Sequence, residues 1–182
     1  MKKTILSLVA VASMAVSGLA LAGDFTLEGD RGDALSQYKV SVSETYSVFK
    51  LSGEAETFQP YGNGTLTQIF AAGAGLSFKV AGVGLEPYAQ AGEKVNSGSA
   101  EQPFVGVGLN LTHEIVGPLS LTVGYRYRDS LNGAHFDEKR ESAALTLTLS
   151  KKQSVGLVAY HYDGTTVSPS ATREGVFYKY SF

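Results

Sequence analysis

Basic side chains in the last third of the chain are spaced so that they fall on one side of an extended backbone. In the tetrapeptide Tyr-Arg-Tyr-Arg at 125–128 the arginines are two residues apart, and Arg140 follows after a polar segment. Successive side chains of a β-strand point to opposite faces, so Arg126 and Arg128 share a face if this run is a strand. Guanidinium groups presented together bind carboxylates and phosphates through paired hydrogen bonds. This spacing therefore predicts recognition of small anions.

The composition narrows the remaining chemistry. The 182 residues include no cysteine, which excludes disulfides, thiolate metal sites and cysteine nucleophiles. Fifteen basic and seventeen acidic residues give a formal charge of −2, so no basic field over the whole chain points to nucleic acid. With 43% hydrophobic residues the chain is too apolar to be intrinsically disordered. We expect one folded domain without a cofactor, a metal or a nucleic-acid partner.

The elements that must position the arginines are strands, because apolar and polar residues alternate through most of the chain. Residues 119–127 place Leu119, Leu121 and Val123 on one face and serine, threonine and glycine on the other. The segments 105–112 and 144–150 repeat this pattern of period two. No long apolar run remains beyond Gly23, so we expect no membrane-spanning helix there.

The N-terminal segment is typical of an export signal. Lys2 and Lys3 precede an apolar core from Ile5 to Val16, and the sequence Ala-Leu-Ala at 20–22 has the pattern of a cleavage site. A membrane anchor is the alternative, but the apolar run is short for a spanning helix and no basic stop-transfer cluster follows. We therefore divide the chain into a signal peptide, 1–22, and a mature domain, 23–182.

The last strand separates a soluble β-sandwich from a membrane barrel. Residues 173–182 place Val176, Tyr178, Tyr180 and Phe182 on one face, and the sequence ends at this phenylalanine. A terminal strand with alternating aromatic residues and a C-terminal Phe resembles the assembly signal of Gram-negative outer-membrane β-barrels. That resemblance implies a place in the outer membrane among lipid and lipopolysaccharide, and contact with the barrel-assembly machinery through Tyr178, Tyr180 and Phe182.

The strand count sets the size of the barrel. We predict an all-β, antiparallel up-and-down transmembrane barrel of ten strands, with eight or twelve as alternatives. The ten segments lie near 24–30, 37–44, 48–58, 69–80, 84–95, 103–115, 119–129, 138–150, 154–163 and 173–182. Connections alternate between short and longer, as periplasmic turns and outer loops do in such barrels. The first segment is weak, but without it the count is nine and the N-terminus lies outside.

Charged residues of both signs fall on the face that would line the lumen. We count nine bases and six acids there, a balance of +3: Lys39, Lys50, Lys79, Lys94, Arg126, Arg128, Arg140, Arg173 and Lys179 against Glu28, Glu54, Glu56, Glu86, Glu114 and Glu138. The candidates for setting solute selectivity are Arg126, Arg128, Arg140, Arg173, Lys39, Lys94, Glu54 and Glu86. The alternative is that these charges pair with one another and fill a narrow barrel.

The hairpin after Arg128 is expected to bring like charges together. If its turn is centred between Leu131 and His135, Arg128 lies opposite Arg140, and an acid such as Glu138 or a bound anion must compensate. The tetrapeptide at 125–128, the polar hairpin and Glu138-Lys139-Arg140 are similar to the oligogalacturonate-specific porin family. This resemblance, over about the last third of the chain, implies an arginine-lined pore for acidic sugar oligomers. Members of that family are longer, twelve-stranded barrels.

Two further functions are open to an outer-membrane barrel. An enzyme would have to use His113, His135 or His161, but the chain has neither the paired acids of omptin proteases nor the His-x-Ser arrangement of lipid A deacylases, and we expect no catalysis. A closed barrel could instead act through its outer loops, in adhesion, host or phage contact, or envelope integrity. The loops are short, so we favour a narrow passive channel for small, preferably anionic solutes or oligosaccharides.

Overall fold

The computed structural model describes residues 23–62, 64–96, 101–132, 137–163 and 170–182. The predicted signal peptide, 1–22, and His135 lie outside these ranges. The strands are listed here in chain order: β1 (Gly23–Gly32), β2 (Leu35–Tyr46), β3 (Phe49–Pro60), β4 (Thr67–Leu76), β5 (Phe78–Val80), β6 (Val83–Asn96), β7 (Gln102–Val116), β8 (Leu119–Ser130), β9 (Glu138–Ser150), β10 (Gln153–Tyr162) and β11 (Ala171–Ser181).

No helix in the described part of the chain is long and apolar enough to cross a membrane.

The strands form one closed antiparallel barrel. Its wall has ten positions, which we call staves, because β4 and β5 together occupy one of them. Each strand pairs with its neighbour in sequence except that β4 and β5 do not pair with each other; both pair with β6, and β11 pairs with β1. The predicted segment 69–80 is one stave in two parts, because Ser77 interrupts its ladder and donates its backbone N–H to the Val48 carbonyl at 2.7 Å. The prediction of ten strands is confirmed, including the weak first strand, which pairs with β11 from Asp24 to Gly32.

The two ends of the barrel differ in their connections. We call the end that holds Gly23 and Phe182 the turn end; its four connections, 47–48, 81–82, 117–118 and 151–152, have two residues each. Ala81 and Gly82 both have positive φ, as a type I′ hairpin turn requires. At the other end, the loop end, Asp33 and Ala34 form one short connection and the other four are longer.

Apolar side chains form a continuous belt on the outside of the barrel. Leu121 of β8 lies opposite Leu145 of β9, Leu145 opposite Leu157 of β10, and Leu157 opposite Val176 of β11. All four side chains are exposed on the outer surface. Threonine, serine and glycine alternate with them and face inward, so the pattern in the sequence separates a lipid-compatible wall from a polar interior.

Candidate functional site

The lumen has two halves with different contents. The half nearer the turn end is a polar cavity of about 510 Å³, lined largely by serine, threonine and charged side chains. The half nearer the loop end is filled with ionised, aromatic and apolar side chains, among them the buried cluster of Phe58, Ile69 and Phe104. This filled half forms a closed layer of side chains above the cavity, and we call that layer the ceiling. A solute that enters the cavity from the turn end therefore meets the ceiling.

Five charged residues across the lumen make up most of this ceiling, and we call them the ionic cluster: Arg126 and Arg128 of β8, Glu54 and Glu56 of β3, and Glu138 of β9. The Nη1 atom of Arg126 lies 3.2 Å from Glu54 Oε1 and 3.1 Å from Glu56 Oε1. Its Nε and Nη2 atoms donate to Glu138 Oε1 at 2.9 and 2.5 Å. Arg126, one of the four arginines predicted to set selectivity, is thus bound to acids of the same chain.

Arg128 forms ion pairs with the same three acids, although its buried Nη1 atom has no hydrogen-bond partner in the described structure. Its Nη2 atom donates to both Glu54 and Glu56, and its Nη1 atom lies 3.7 Å from Glu138 Oε2. With the Gln90 amide turned so that its oxygen faces Arg128, the Nε atom donates to that oxygen at 2.5 Å, and the guanidinium stacks on Phe104 at 4.8 Å. Arg126 and Arg128 are 2% and 0% exposed. Removing such ions from water costs several kcal/mol each, which these charge-assisted hydrogen bonds offset.

The register of the β8–β9 hairpin differs from the predicted one. Arg128 lies opposite Glu138, and Arg126 lies opposite Arg140, so the predicted pairing of Arg128 with Arg140 is wrong by two residues. An even shift keeps all these side chains inside the barrel. The like charges that face each other are therefore Arg126 and Arg140, and Glu138 binds Arg126.

Aromatic residues that the sequence did not single out complete the ceiling beside the ionic cluster. Tyr160 donates its hydroxyl proton to Glu28 at 2.6 Å and accepts a hydrogen bond from Lys39 Nζ at 2.8 Å. Lys39 also forms an ion pair with Glu28 at 2.9 Å. The Arg140 guanidinium stacks on the Tyr160 ring at 4.6 Å. The alternation within β10 already places Tyr160 on the inner face, so this contribution was detectable in the sequence.

Arg173 stacks on a second group of aromatic rings. Its guanidinium stacks on Tyr162 at 4.2 Å and on Phe58 at 4.8 Å, and its Nη1 atom donates to Gln37 Oε1 at 2.5 Å. Gln37 in turn donates to Glu56 Oε2 at 2.8 Å, which connects Arg173 to the ionic cluster. Arg173 therefore closes the lumen instead of lining an open passage.

The remaining predicted residues lie inside the barrel but outside the ionic cluster. Glu86 accepts a hydrogen bond from Lys50 at 2.6 Å within the cavity. Lys94 lies on the inner face near the loop end, in register with Ile69 and Gln102. Ion pairs of Lys179 with Asp24 at 2.6 Å and of Lys79 with Glu114 at 2.8 Å lie toward the turn end.

The interior is closer to neutral than the sequence indicated. Asp24 and Asp30 also face inward, since they share the face of Glu28 on β1. The described inner face therefore carries nine bases and eight acids, and the predicted excess of three positive charges falls to one. Asp30 is buried, and neither of its carboxylate oxygens has a hydrogen-bond partner in the described structure.

Two large aromatic side chains keep the cavity open by lying flat against the wall. Tyr88 covers Gly108 of the neighbouring strand, where an added Cβ would come within 2.3 Å of the ring. Phe177 covers Gly156 in the same way, also with a 2.3 Å approach. A glycine beside each ring is therefore required for the close approach.

His113 and His161, the histidines that the structure describes, lie on β7 and β10, which do not pair with each other. His161 lies on the outer surface, with Nδ1 3.2 Å from Thr172 Oγ1 and Nε2 3.8 Å from Asp163 Oδ1. Within the described ranges, no group of three or more His, Asp or Glu side chains could hold a metal ion. The absence of catalysis stays a prediction from the sequence.

The closed antiparallel barrel, with its apolar outer wall and polar interior, defines a transmembrane β-barrel of the outer-membrane type. Similar solved structures include the NanC porin in a rhombohedral crystal form, with a TM-score of 0.61 and 11% identity over 88% of this chain and 100% of that one. The KdgM porin has a TM-score of 0.54 and 15% identity over 87% of this chain and 99% of that one. The structure of the KdgM porin in complex with disordered oligogalacturonate has a TM-score of 0.51 and 16% identity over 89% of this chain and 99% of that one.

At these identities the likeness concerns the fold, and it agrees with the porin resemblance of the last third of the sequence. No protein-family model matches the chain, and no curated protein matches it.

Proposed function

We propose that the protein is a narrow, passive, porin-like channel of the outer membrane for small, preferably anionic solutes or oligosaccharides. The observation that carries the proposal is the polar cavity of about 510 Å³ beneath a ceiling that contains Arg126, Arg128 and Arg140. A channel built this way conducts when the side chains of the ceiling rearrange. The NanC and KdgM porins, which share the fold, support the channel class.

The test is single-channel recording of the refolded mature protein in a planar bilayer, with reversal potentials under a salt gradient. We expect small, discrete conductance steps with a preference for anions, because Arg140 lines the cavity and two of its buried donors lack a partner in the described structure. The double variant Arg128→Ser, Arg140→Ser should lose part of that preference. A correctly folded barrel that stays silent would contradict the channel.

The second candidate is a closed barrel that acts through its outer loops, in adhesion, host or phage contact, or envelope integrity. The filled loop half of the lumen favours it, because buried ion pairs with several hydrogen bonds each resist opening. A silent bilayer together with loss of a cell-surface phenotype on loop replacement would support this reading over the channel.

For the route to the membrane we propose export through a signal peptide at 1–22 and assembly through the C-terminal strand. Tyr178 and Tyr180 lie on the outer face of β11, and Tyr180 packs edge-to-face on Phe182 with ring centroids 5.4 Å apart. We expect lipid and lipopolysaccharide as neighbours of this aromatic edge, and no nucleic-acid partner. Mass spectrometry of the N-terminus of the exported protein tests the cleavage: a chain that begins at Gly23 supports it.

A further inference from the structure

Glu54 differs from the rest of the ionic cluster in facing the cavity. It is a lining residue of the cavity, whereas Arg126, Arg128, Glu56 and Glu138 are not. Its side chain is 18% exposed, against 0% for Glu56 and 9% for Glu138. A solute that moves up from the turn end therefore reaches the carboxylate of Glu54 before either arginine of the cluster.

Glu54 is also held by fewer atoms than the other two acids. Both of its ion pairs, with Arg126 and with Arg128, use the single oxygen Oε1. Glu56 binds both arginines through Oε1 and accepts a further hydrogen bond from Gln37 on Oε2. Glu138 Oε1 accepts from two nitrogens of Arg126. Glu54 and Glu138 each accept two hydrogen bonds from the arginines, one fewer than Glu56 accepts in all, and of the three acids only Glu54 also lines the cavity.

Arg140 supplies a further basic group, on β9, across the lumen from Glu54. It lines the cavity, is 8% exposed, and its Nε and Nη1 atoms have no hydrogen-bond partner in the described structure. Its Cα lies opposite that of Arg126, so Arg140 adds positive charge next to the arginines that Glu54 binds. If the Arg140 side chain moves when a solute binds, a solute carboxylate can reach the two buried donors that the protein leaves unpaired.

We propose that Glu54 is an internal counter-anion that occupies the anion site formed by Arg126 and Arg128, and that its displacement by a solute carboxylate determines specificity. This proposal rests on the channel function and names the control on its selectivity. The ligand class is a small organic anion with a carboxylate. Because Glu54 competes for the same guanidinium groups, it lowers the affinity of the site and keeps it closed when no solute is bound.

The test compares Glu54→Gln with Glu114→Gln. Both variants replace a glutamate of an ion pair by its isosteric amide, but Glu114 lies outside the cavity, exposed and paired with Lys79. Reversal potentials in planar bilayers give the anion-to-cation permeability ratio, and calorimetry in detergent gives the affinity for galacturonate, with galactose as the uncharged control. Electrophoretic mobility of unheated and heated samples checks that each barrel is folded.

We expect Glu54→Gln to raise both the permeability ratio and the galacturonate affinity by at least about fivefold, the effect of one unit charge at contact distance even in water. Glu114→Gln should match the wild type, and galactose should not distinguish the variants. Glu54→Ala, which removes the competing group entirely, should change both quantities in the same direction as Glu54→Gln.

The two failures are separable. If the wild type conducts but Glu54→Gln behaves like Glu114→Gln in both measurements, the role of Glu54 is overturned and the channel stands. If every folded variant is silent, the channel is overturned, and calorimetry alone decides the inference: stronger galacturonate binding by Glu54→Gln supports a counter-anion, and unchanged binding refutes it.

Discussion

The charged residues of this lumen differ in how much they contribute to the free energy of unfolding, because some are buried and others are exposed to water. Glu56 is 1% exposed and binds two arginines and Gln37, whereas Glu114 is exposed and binds Lys79 alone. Removal of one partner from a buried ion pair leaves an uncompensated charge, while water replaces the partner of an exposed one.

At the residue scale we predict that Glu56→Ala lowers the free energy of unfolding by about 3 to 5 kcal/mol. The cause is the loss of an acid that both Arg126 and Arg128 use. Urea-dependent unfolding and refolding in lipid vesicles measures it, and Glu114→Ala should leave the midpoint unchanged within error. Equal losses in the two variants would contradict a buried, essential pair.

Each strand has one face toward lipid and the other toward the aqueous lumen, and β9 illustrates this. Leu145 lies in the apolar belt between Leu121 and Leu157, while Thr146, the next residue, lines the cavity. Adjacent residues of one strand therefore face lipid and water. The consequence of a substitution depends on the face that it alters and little on its place along the chain.

At the element scale we predict that Leu145→Arg destabilises the barrel by about 2 to 4 kcal/mol, because an arginine near the middle of the lipid-facing wall has no partner in hydrocarbon. Thr146→Arg places the same side chain in the polar cavity and should have a much smaller effect on stability. Unfolding in vesicles again provides the measurement. A larger loss for Thr146→Arg would show that the assignment of the two faces is inverted.

Pairing between the first and last strands closes the barrel. β11 pairs with β1 over nine residue pairs, and the backbone N–H of Phe182 donates to the Gly23 carbonyl at 2.9 Å. Closure leaves no unpaired strand edge among the staves. An unpaired edge is not tolerated in hydrocarbon, because its backbone groups would have no hydrogen-bond partners. The last residue of the chain therefore contributes to closure as well as to the proposed assembly signal.

At the scale of the whole molecule we predict that Phe182→Ala sharply reduces the amount of folded barrel in the outer membrane of cells. Refolding of the purified variant into vesicles should be nearly normal, since its backbone hydrogen bond to Gly23 is retained. Phe49→Ala, which removes another exposed aromatic side chain at the turn end, is the control and should assemble normally. Equal assembly of the two variants would refute the signal at Phe182.

The alternation of residue types by itself determined the strands and their two faces, because period two sorts side chains onto two faces whatever the loops do. The choice of a barrel over a β-sandwich came from the resemblance of the last strand to an outer-membrane assembly signal. The alternation predicted the ten staves, the two different ends and the inward direction of Arg126, Arg128, Arg140 and Arg173. The error in the β8–β9 register left that direction intact, since the shift was by two residues.

Only the tertiary structure decided what these arginines bind. Glu54 and Glu56 precede Arg126 by about seventy residues, and barrel closure alone brings β3 and β8 into reach across the lumen. Alternation gives the face of each strand but not the distance between strands that are not neighbours. For that reason the sequence predicted a lumen rich in arginine, and the structure showed one in which Arg126 and Arg128 are neutralised while the Nε and Nη1 donors of Arg140 remain unpaired.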